Sequence, residues 1–468
     1  MTVNARTAAG TRVNAVDRRA LLQLAAVAFA ATALPACSGG DRPATSRKVL
    51  IVGAGMAGVA AARVLRNAGI EVQVIEGNDR VGGRVWTSFE WPDVPIDLGA
   101  SWIHGVTGNP ITDLAQEAGA TLVTTSYDSS VAFGPDGRAL SAKAQREVAA
   151  MGRRVAAALR RAQRADADQS VRSAVESGLD WQSLTPYQRR LARFIMISTI
   201  EAEYSGATDD TSAYWFDSVG EFPGEDAVLL EGYSVVIDAL AEGVPIVTGQ
   251  PVTAISTTSD GVTVTTASGS FTGDAVIVTL PLGVLQAGTV SFEPVLPPAK
   301  QEAIESLQMG LLDKVFLRFP EVFWDPDTDW IEYIPDGPDE WAEWVSFARP
   351  TGQPVLLGFT AADFARRMEA ASDAEIVASA MTTLRTIYGR DIPAPTGQQI
   401  TRWAADPFAL GSYSFNALGA HPRMREALAA QAGRVFFAGE ATEREYFGTV
   451  HGAYLSGVRA AEEVLGGR

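Results

Sequence analysis

The chain has 468 residues, of which 47% are hydrophobic and 20% charged, a composition typical of an ordinary globular protein. Disordered and fibrous classes are therefore excluded, and the length exceeds what one hydrophobic core usually supports, so two or more domains are expected. The net charge of −17 argues against a nucleic-acid partner, because no basic patch stands out to neutralise phosphates.

Residues 1–37 have the features of an export signal. Arginines near the start precede an apolar run, Ala20 to Ala36, that is short for a membrane span of about 20 residues. DRRALLQL resembles a twin-arginine signal, and LPAC resembles a lipobox ending at Cys37. We expect an exported protein on the periplasmic or cell-surface side, lipid-anchored at Cys37 and followed by a linker over 38–46. The alternative is an ordinary cleaved signal with an incidental cysteine.

Cys37 is the only cysteine in the chain. An intramolecular disulfide and a cysteine-ligated metal cluster are therefore impossible, and we predict no metal site. Outside the signal, the sequence contains no other stretch long and apolar enough to span a bilayer.

The first predicted unit of the mature chain is β-α-β. An apolar strand, Val49 to Val52, runs into glycines, a helix is predicted from Met56 to Asn67, and a second strand from Val72 to Ile75 ends at Glu76. This order is typical of a dinucleotide site, in which glycines let the backbone approach a pyrophosphate and the acid binds a ribose. The G-x-G-x-x-G residues are Gly53, Ala54, Gly55, Met56, Ala57 and Gly58.

The remaining elements alternate between helical and extended regions. Residues 140–215 are predicted to be helical, and 245–280 to form strands separated by turns at Asp260-Gly261 and Ser268-Gly269. From 310 to 360 strands mix with an acidic, proline-rich loop, DPDTDWIEYIPDGPDE, and a buried strand in RVFFAGEAT and a helix end the chain. The predicted fold class is mixed α/β with a Rossmann-like sheet.

Several long motifs, in order along the chain, resemble those of flavin-dependent amine oxidases, nearest to the polyamine and spermine oxidase branch. They are EGNDRVGGRV (76–85), DLGASWIHG (97–105), VIVTLPLGVL (276–285), GLLDKVFLRF (310–319), TRWAADPFALGSYSF (401–415) and FFAGEATEREYFGTVHGAYLSGVRAAEEV (436–464). The resemblance implies an FAD domain over 46–130, 230–296 and 398–468. It also implies a substrate domain over 131–229 and 297–397. The oligomeric state stays open.

The resemblance also implies cofactor contacts. Arg84 would meet the FAD phosphates, the backbone of Val252 the adenine, and Glu440 the ribityl chain. The rest of this set is Gly99, Trp403, Thr449 and Val450, with Trp403 packing on the flavin ring. Val252 and Trp403 could instead be plain core residues. Ser412 stands where monoamine oxidases carry the cysteine that binds flavin, so FAD should be noncovalent.

Substrate contacts follow from the same resemblance. His104 would lie near the substrate amine, positioning or deprotonating it, whereas a lone histidine in a turn is otherwise structural. Tyr413 would form one wall, but Thr449 replaces a second tyrosine, which argues against small aromatic monoamines. Glu201 and Glu203 lie where a carboxylate meets the cationic chain. They point about 200° apart on a helix, so only one should face the substrate, or both lie on a solvated face. His451 is expected to cap or pack the last helix.

Lys314 is the strongest candidate for an active-site residue. It is one of only four lysines among 38 basic residues and lies in an apolar strand, on the same face as Phe316 and Arg318. A solvent-facing position is the alternative. The resemblance places this lysine at flavin N5, bridged by a water, and an ammonium can shift its pKa on burial where a guanidinium cannot.

The predicted reaction is FAD-dependent oxidation of amines such as spermine, spermidine or their acetylated forms. Hydride would pass to flavin N5 and electrons to O₂, yielding aldehyde, a smaller amine and hydrogen peroxide. The alternatives are an L-amino-acid or monoamine oxidase on the same fold and, more distantly, a flavin-binding module without turnover. The stretch before Trp102 offers no arginine to clamp an amino-acid carboxylate, and Lys314 argues against a module without turnover.

Overall fold

A computed structural model describes residues 47–337 and 341–466. The predicted signal, Cys37 and the linker lie outside the described residues. The helices are α1 Met56–Asn67, α2 Pro110–Glu117, α3 Ala142–Ala162, α4 Val171–Leu179, α5 Pro186–Met196, α6 Ala202–Tyr204, α7 Ser234–Ala241, α8 Leu282–Ala287, α9 Pro298–Ser306, α10 Ala348–Thr351, α11 Ala362–Glu369, α12 Asp373–Tyr388, α13 Arg423–Ala429 and α14 Val450–Leu465. Short 3₁₀ turns span Trp181–Ser183 and Glu440–Thr442, and a π-helical turn spans Ile197–Glu201.

The strands form several sheets. They are β1 Lys48–Val52, β2 Glu71–Ile75, β3 Thr87–Ser88, β4 Ile96–Asp97, β5 Trp102–Ile103, β6 Leu122–Thr125, β7 Ser130–Phe133, β8 Asp226–Leu229, β9 Ile246–Val247, β10 Val252–Thr257, β11 Val262–Thr266, β12 Gly269–Gly273, β13 Ala275–Val278, β14 Ser291–Glu293, β15 Gln308–Met309, β16 Leu312–Arg318, β17 Trp330–Tyr333, β18 Glu343–Ser346, β19 Val355–Ala361, β20 Gly397–Ile400, β21 Ser414–Phe415 and β22 Val435–Phe437.

A parallel sheet in the order β22-β13-β1-β2-β9 forms the first half of the molecule. Both of its faces are covered, which explains why β1 is a continuous apolar run rather than an alternating one. Helices α1 and α14 pack on one face through residues such as Leu65 and Val464, and strands β10 and β11 cover the other. The two helices cross so closely that a Cβ on Gly457 would lie 2.2 Å from the Ala57 carbonyl.

A mixed six-stranded sheet in the order β20-β16-β19-β18-β17-β7 forms the second half. Strand β16 is antiparallel to both of its neighbours, and β7 joins the far edge in parallel. One face packs on α12, with Leu317, Trp344 and Leu384 fully buried between them. Helices α3 to α5 form a separate cluster around Val155, Val175 and related residues.

The mixed α/β fold class is confirmed, and α1 has the predicted bounds. One expectation is wrong: the acidic loop contains strand β17, because Trp330 and Ile331 are buried against neighbouring strands. The central parallel sheet draws strands from all three segments of the predicted FAD domain, but β7 and β20 cross its boundaries at 130 and 398. The domain limits stay a prediction. No helix in the described part of the chain is long and apolar enough to cross a membrane.

Candidate active site

A cavity of about 1720 Å³ runs from the glycine turn after β1 to the six-stranded sheet. A pocket for one drug-sized ligand has a volume of roughly 300–1,000 Å³, so this cavity has room for a dinucleotide and a second ligand. It brings together almost every residue singled out in the sequence. The exceptions are Ala54, Gly58 and Glu201, which do not line it.

The glycine turn fits a pyrophosphate. Gly53 has φ +102°, which favours glycine, and α1 begins after Gly55 without a side-chain cap from any described residue. A Cβ on Gly55 would come no nearer than 3.7 Å to another atom, so the turn leaves space on the cavity side. Backbone N–H groups at a helix N-terminus, with the helix dipole, bind anions. Met56 and Ala57 also line the cavity.

Gly58 serves packing instead. A Cβ there would lie 2.0 Å from the Gly53 carbonyl oxygen, so only glycine lets α1 sit directly on the turn. Gly58 therefore supports the cofactor site through the turn that it packs against, rather than from the cavity wall.

Glu76 ends β2 as predicted for a ribose ligand. Its Oε2 accepts from the Ala54 N–H at 2.6 Å and its Oε1 from the Asn78 N–H at 2.7 Å. Burial raises the pKa of this carboxyl, and the two N–H donors oppose that shift. Glu76 is held on the cavity wall, as is Val252 at the start of β10.

Glu440 is buried and its carboxylate is fully engaged by the protein. Its Oε1 accepts from Arg84 at 2.9 Å and the Ser414 N–H at 3.2 Å, and its Oε2 accepts from the Ser414 hydroxyl at 2.6 Å and the Gly448 N–H at 2.9 Å. Burial would raise its pKa, but Arg84 and Arg425 hold the pKa below the usual value. Glu440 lines the cavity, and its contact with a ribityl chain stays a prediction.

Arg425 was not singled out in the sequence, where it looks like an ordinary helix arginine. It is fully buried, donates to the Ser414 hydroxyl at 2.7 Å and to the Asn416 side chain at 3.2 Å, and lies 3.9 Å above the Phe447 ring. Together with Arg84 it surrounds Glu440 with positive charge. Arg84 itself lines the cavity and also donates to the Ser412 carbonyl at 2.9 Å.

Lys314 lies in the cavity wall, and the alternative of a solvent-facing residue is wrong because it is only 5% exposed. Its Nζ donates to the Asp97 carbonyl at 3.0 Å and to the Gly99 carbonyl and Ser101 hydroxyl at shorter distances. Burial lowers its pKa below the usual lysine value, while the charge of Asp97 opposes that shift. A Cβ on Gly99 would lie 1.9 Å from the Arg84 carbonyl, so glycine allows this close turn.

In addition to Lys314, four further predicted residues line the cavity, namely Trp403, Tyr413, Thr449 and Val450. The Trp403 indole donates to the Leu98 carbonyl at 3.3 Å, which fixes its ring. The Tyr413 hydroxyl donates to the Glu203 carbonyl at 3.1 Å. Thr449 uses its hydroxyl to cap α14, accepting from the Gly452 N–H at 2.9 Å, and Val450 follows it on the wall.

His104 lies 3.1 Å (Nδ1 to Oδ2) from Asp226, an acid that sequence reasoning missed. Strands β5 and β8 pair Ile103 with Ala227, which brings the two side chains together. Partial desolvation at the cavity wall would lower the pKa of His104, whose side chain is half-exposed, but the bond to Asp226 and the charges of Glu203 and Glu221 outweigh it and raise the pKa to about 9. The raised pKa keeps the imidazole largely protonated at neutral pH, which favours the positioning role over the role as base.

His451 is buried, as expected for a packed residue at the start of α14. Its ring meets the stacked rings of Phe222 and Tyr446 edge to face, with centroids 5.2 Å and 5.1 Å away, and its Nδ1 is 3.4 Å from the Asn109 amide. Burial and the charge of His104 lower its pKa to about 3, so it stays neutral.

Of the two candidate glutamates, only Glu203 lines the cavity. Glu201, the other candidate, does not line it: its Oε1 accepts from the Thr208 N–H and hydroxyl, both at 3.0 Å, and it turns toward that loop. The divergence of residues two apart on a helix separates them.

Two carboxylates missed in the sequence lie on the six-stranded sheet. Lys314 pairs with Phe359 across β16 and β19, and Glu332 pairs with Glu343 across β17 and β18. Trp344 pairs with Gly358, so the register places Glu343 next to Phe359. The four side chains form one row on the cavity face, and all four line the cavity. Glu332 was hidden in the stretch taken for a loop. No group of three or more described histidine, cysteine or acidic residues could hold a metal ion.

The model of the family "flavin containing amine oxidoreductase" matches residues 56–465. Polyamine oxidase 4 of Oryza sativa subsp. japonica is 36% identical over 438 residues, covering 90% of this chain and 89% of its own length. Polyamine oxidase 2 of Arabidopsis thaliana is 34% identical over 445 residues, covering 91% and 90%. The lysine-specific histone demethylase 1 homolog 1 of Oryza sativa subsp. japonica is 36% identical, but only 54% of its length is covered.

A solved structure of a putrescine oxidase bound to putrescine superposes with a TM-score of 0.74 over 90% of this chain and 99% of that one. At 20% identity, that likeness supports the fold alone. The chain belongs to the flavin-containing amine oxidoreductase family, and it is similar to polyamine oxidases. It is an FAD-dependent amine oxidase, and the glycine turn, Glu76 and Arg84 fit the cofactor.

Proposed function

We propose that this enzyme oxidises linear polyamines, such as spermine, spermidine or their acetylated forms, rather than monoamines or amino acids. The observation that carries this proposal is the row Lys314, Phe359, Glu343 and Glu332 on the cavity face of the sheet. Glu332 and Glu343 are 8% and 5% exposed, so a cation beside them would be shielded from water. Removing one partner of a buried charge pair is strongly unfavourable, because the other charge is left buried without compensation.

The spacing of the residues in this row also indicates the length of the substrate. Neighbouring strands lie about 4.8 Å apart, so Glu343 and Glu332 lie about 10 and 14 Å from Lys314 across the sheet. An extended alkyl chain advances about 1.25 Å per bond, so the nitrogens of a four-carbon diamine are about 6 Å apart and the outer nitrogens of spermidine about 11 Å apart. The spacing favours a chain longer than a short diamine. Trp330 and Phe359, ring centroids 6.3 Å apart, form an apolar wall for its methylenes.

FAD, held by the glycine turn, Glu76 and Arg84, would supply a two-electron acceptor for the hydride that leaves the carbon next to the amine nitrogen, with O₂ as the final acceptor and hydrogen peroxide as its product. The imine is then hydrolysed to an aldehyde and a smaller amine. The protein binds the distant cation and holds Lys314 and Tyr413 at the reacting end. Because His104 is protonated at neutral pH, it positions the substrate together with Asp226 and does not remove its proton. The reacting amine nitrogen must be unprotonated before the hydride leaves, so the rate of flavin reduction should rise with pH.

The test is peroxide release from a panel of polyamines, diamines, monoamines and amino acids. Peroxide from the longer polyamines is expected, with little from monoamines and none from amino acids. Glu343→Gln and Glu332→Gln should each lower kcat/KM for polyamines by about 10- to 100-fold. Each substitution removes the negative charge of a buried carboxylate that is proposed to pair with a cationic nitrogen of the substrate. Glu321→Gln, an exposed acid outside the cavity, is the matched control. Equal kcat/KM in all three variants, or no peroxide from any polyamine, would contradict the proposal.

We further propose that the protein is exported and anchored at Cys37. The basis is the sequence of residues 1–37 alone, and cell fractionation of the full chain with Cys37→Ser is the test. Loss of the membrane-bound fraction in the variant supports the anchor, and an unchanged distribution would argue for an incidental cysteine.

A further inference from the structure

The Lys314 side chain ends in a cage made by one short turn, residues 97–101. An ammonium has three N–H donors, and the turn supplies three acceptors, the carbonyls of Asp97 and Gly99 and the hydroxyl of Ser101. The aromatic rings of Trp102 and Phe316 lie 5.5 and 5.9 Å from Nζ. The ammonium is therefore fully satisfied by this chain's own atoms.

The three acceptors differ in what they can do. A carbonyl only accepts, whereas a hydroxyl both accepts and donates. Ser101 uses the second capacity already, because its hydroxyl donates to the Asp97 carbonyl at 3.2 Å. If Lys314 loses a proton, one N–H disappears and a lone pair forms, and of the three partners only Ser101 can turn to donate to it.

We propose that Ser101 is a positioning residue for Lys314, holding its Nζ in place in both the ammonium and the amine form. This proposal rests on the proposed function only in taking Lys314 to act at the reacting end of the cavity. It gives the hydroxyl at residue 101 a role in addition to its bond to the Asp97 carbonyl within the turn. The side chain is only 3% exposed, so its described hydrogen bonds are largely shielded from bulk water.

The charged groups around Lys314 do not replace Ser101. Asp97 faces it from the same turn, but its Oδ1 accepts from the Thr87 hydroxyl at 2.6 Å and the Tyr233 N–H at 2.9 Å. On its own strand, Asp313 points to the opposite face and Arg318 bonds Asp93. On β19 its neighbour is the uncharged Phe359, with Glu343 beyond it, and on the β20 side its N–H meets the Thr401 hydroxyl.

The experiment is a double-mutant cycle in the FAD-loaded enzyme, with Ser101→Ala, Lys314→Met and the double variant. FAD is reduced chemically without oxygen, and its reoxidation by O₂ is followed by absorbance. Ser101→Ala should slow reoxidation about tenfold, consistent with losing one hydrogen bond to a charged group. In the Lys314→Met background the same change should have less than a twofold effect, because its partner is gone. Ser101→Thr, which keeps the hydroxyl, should recover most of the rate.

A second readout needs no cofactor. In FAD-free protein, Ser101→Ala should lower the melting temperature more in the presence of Lys314 than in Lys314→Met. If Ser101→Ala does not fold, Ser101→Cys, which keeps the size but bonds weakly, takes its place with the same expectations. Equal effects in both backgrounds, or a normal rate in Ser101→Ala or in that substitute, would overturn the proposal. Because chemical reduction uses no amine, the result is independent of whether polyamines are substrates.

Discussion

The two ends of the cavity are built in different ways. At the cofactor end, Gly53, Gly55, Gly58 and Glu76 belong to one continuous β-α-β unit. At the substrate end, Lys314, Glu343 and Glu332 come from three strands, and the turn of residues 97–101 that holds Lys314 comes from far earlier in the chain. The first end depends on local backbone geometry, and the second on strand register.

The two ends of the cavity should therefore differ in the structural changes that they tolerate. A one-residue slip in a strand turns its side chains to the other face, so the substrate row exists only while β16 to β19 keep their register. The cofactor end depends instead on the absence of side chains at a few positions. The following variants probe each end, from the largest expected effect to the smallest.

Gly58→Ala should abolish FAD binding. The added Cβ would lie 2.0 Å from the Gly53 carbonyl oxygen. The turn and α1 are both backbone segments that can shift only at a large energetic cost, so α1 must move away from the turn. Flavin absorbance of the purified protein measures the loss. Gly69→Ala, in the same unit with φ +78° and no atom within 4 Å of the added Cβ, should keep FAD at a cost of about 1 kcal/mol. Normal FAD content in Gly58→Ala would show that the turn tolerates displacement.

Lys314→Met should keep FAD bound but slow turnover by about 100-fold, the scale expected when one placed donor is removed from an active site. Rapid-reaction kinetics of flavin reduction and reoxidation locate the slow step. The matched control is Lys143→Met, whose side chain is 81% exposed and should leave the kinetics unchanged. Unaltered kinetics in Lys314→Met would remove this lysine from the site.

Replacing His104 by Asn should have the smallest effect, and one that depends on pH. The pKa of His104 is raised from 6.5 to about 9 in the folded protein. Its pairing with Asp226 therefore stabilises the fold fully below pH about 6.5 and is lost as pH rises through about 9. With a half-exposed side chain, the contribution stays within about 1 kcal/mol. The melting-temperature difference from wild type should shrink between pH 6 and 10. A constant difference would mean that the pair contributes no charge interaction.

The sequence by itself determined the cofactor end. The glycine spacing, the bounds of α1 and the acid at Glu76 follow from short-range rules, since a tight turn before a helix leaves little choice of residue. Lys314 stood out as a lysine among apolar residues, but the residues alone left a solvent-facing position open, and the resemblance to amine oxidases favoured the active site.

Only the tertiary structure decided the substrate end. It separated Glu203 from Glu201, gave His104 its partner Asp226, and turned a stretch read as a loop into the strand that carries Glu332. Acidic residues look the same in a loop and on a buried strand, and which face they occupy depends on pairing with strands far away in the chain. Local chemistry can be predicted from neighbouring residues, but a row of side chains across a sheet exists only once the register is set.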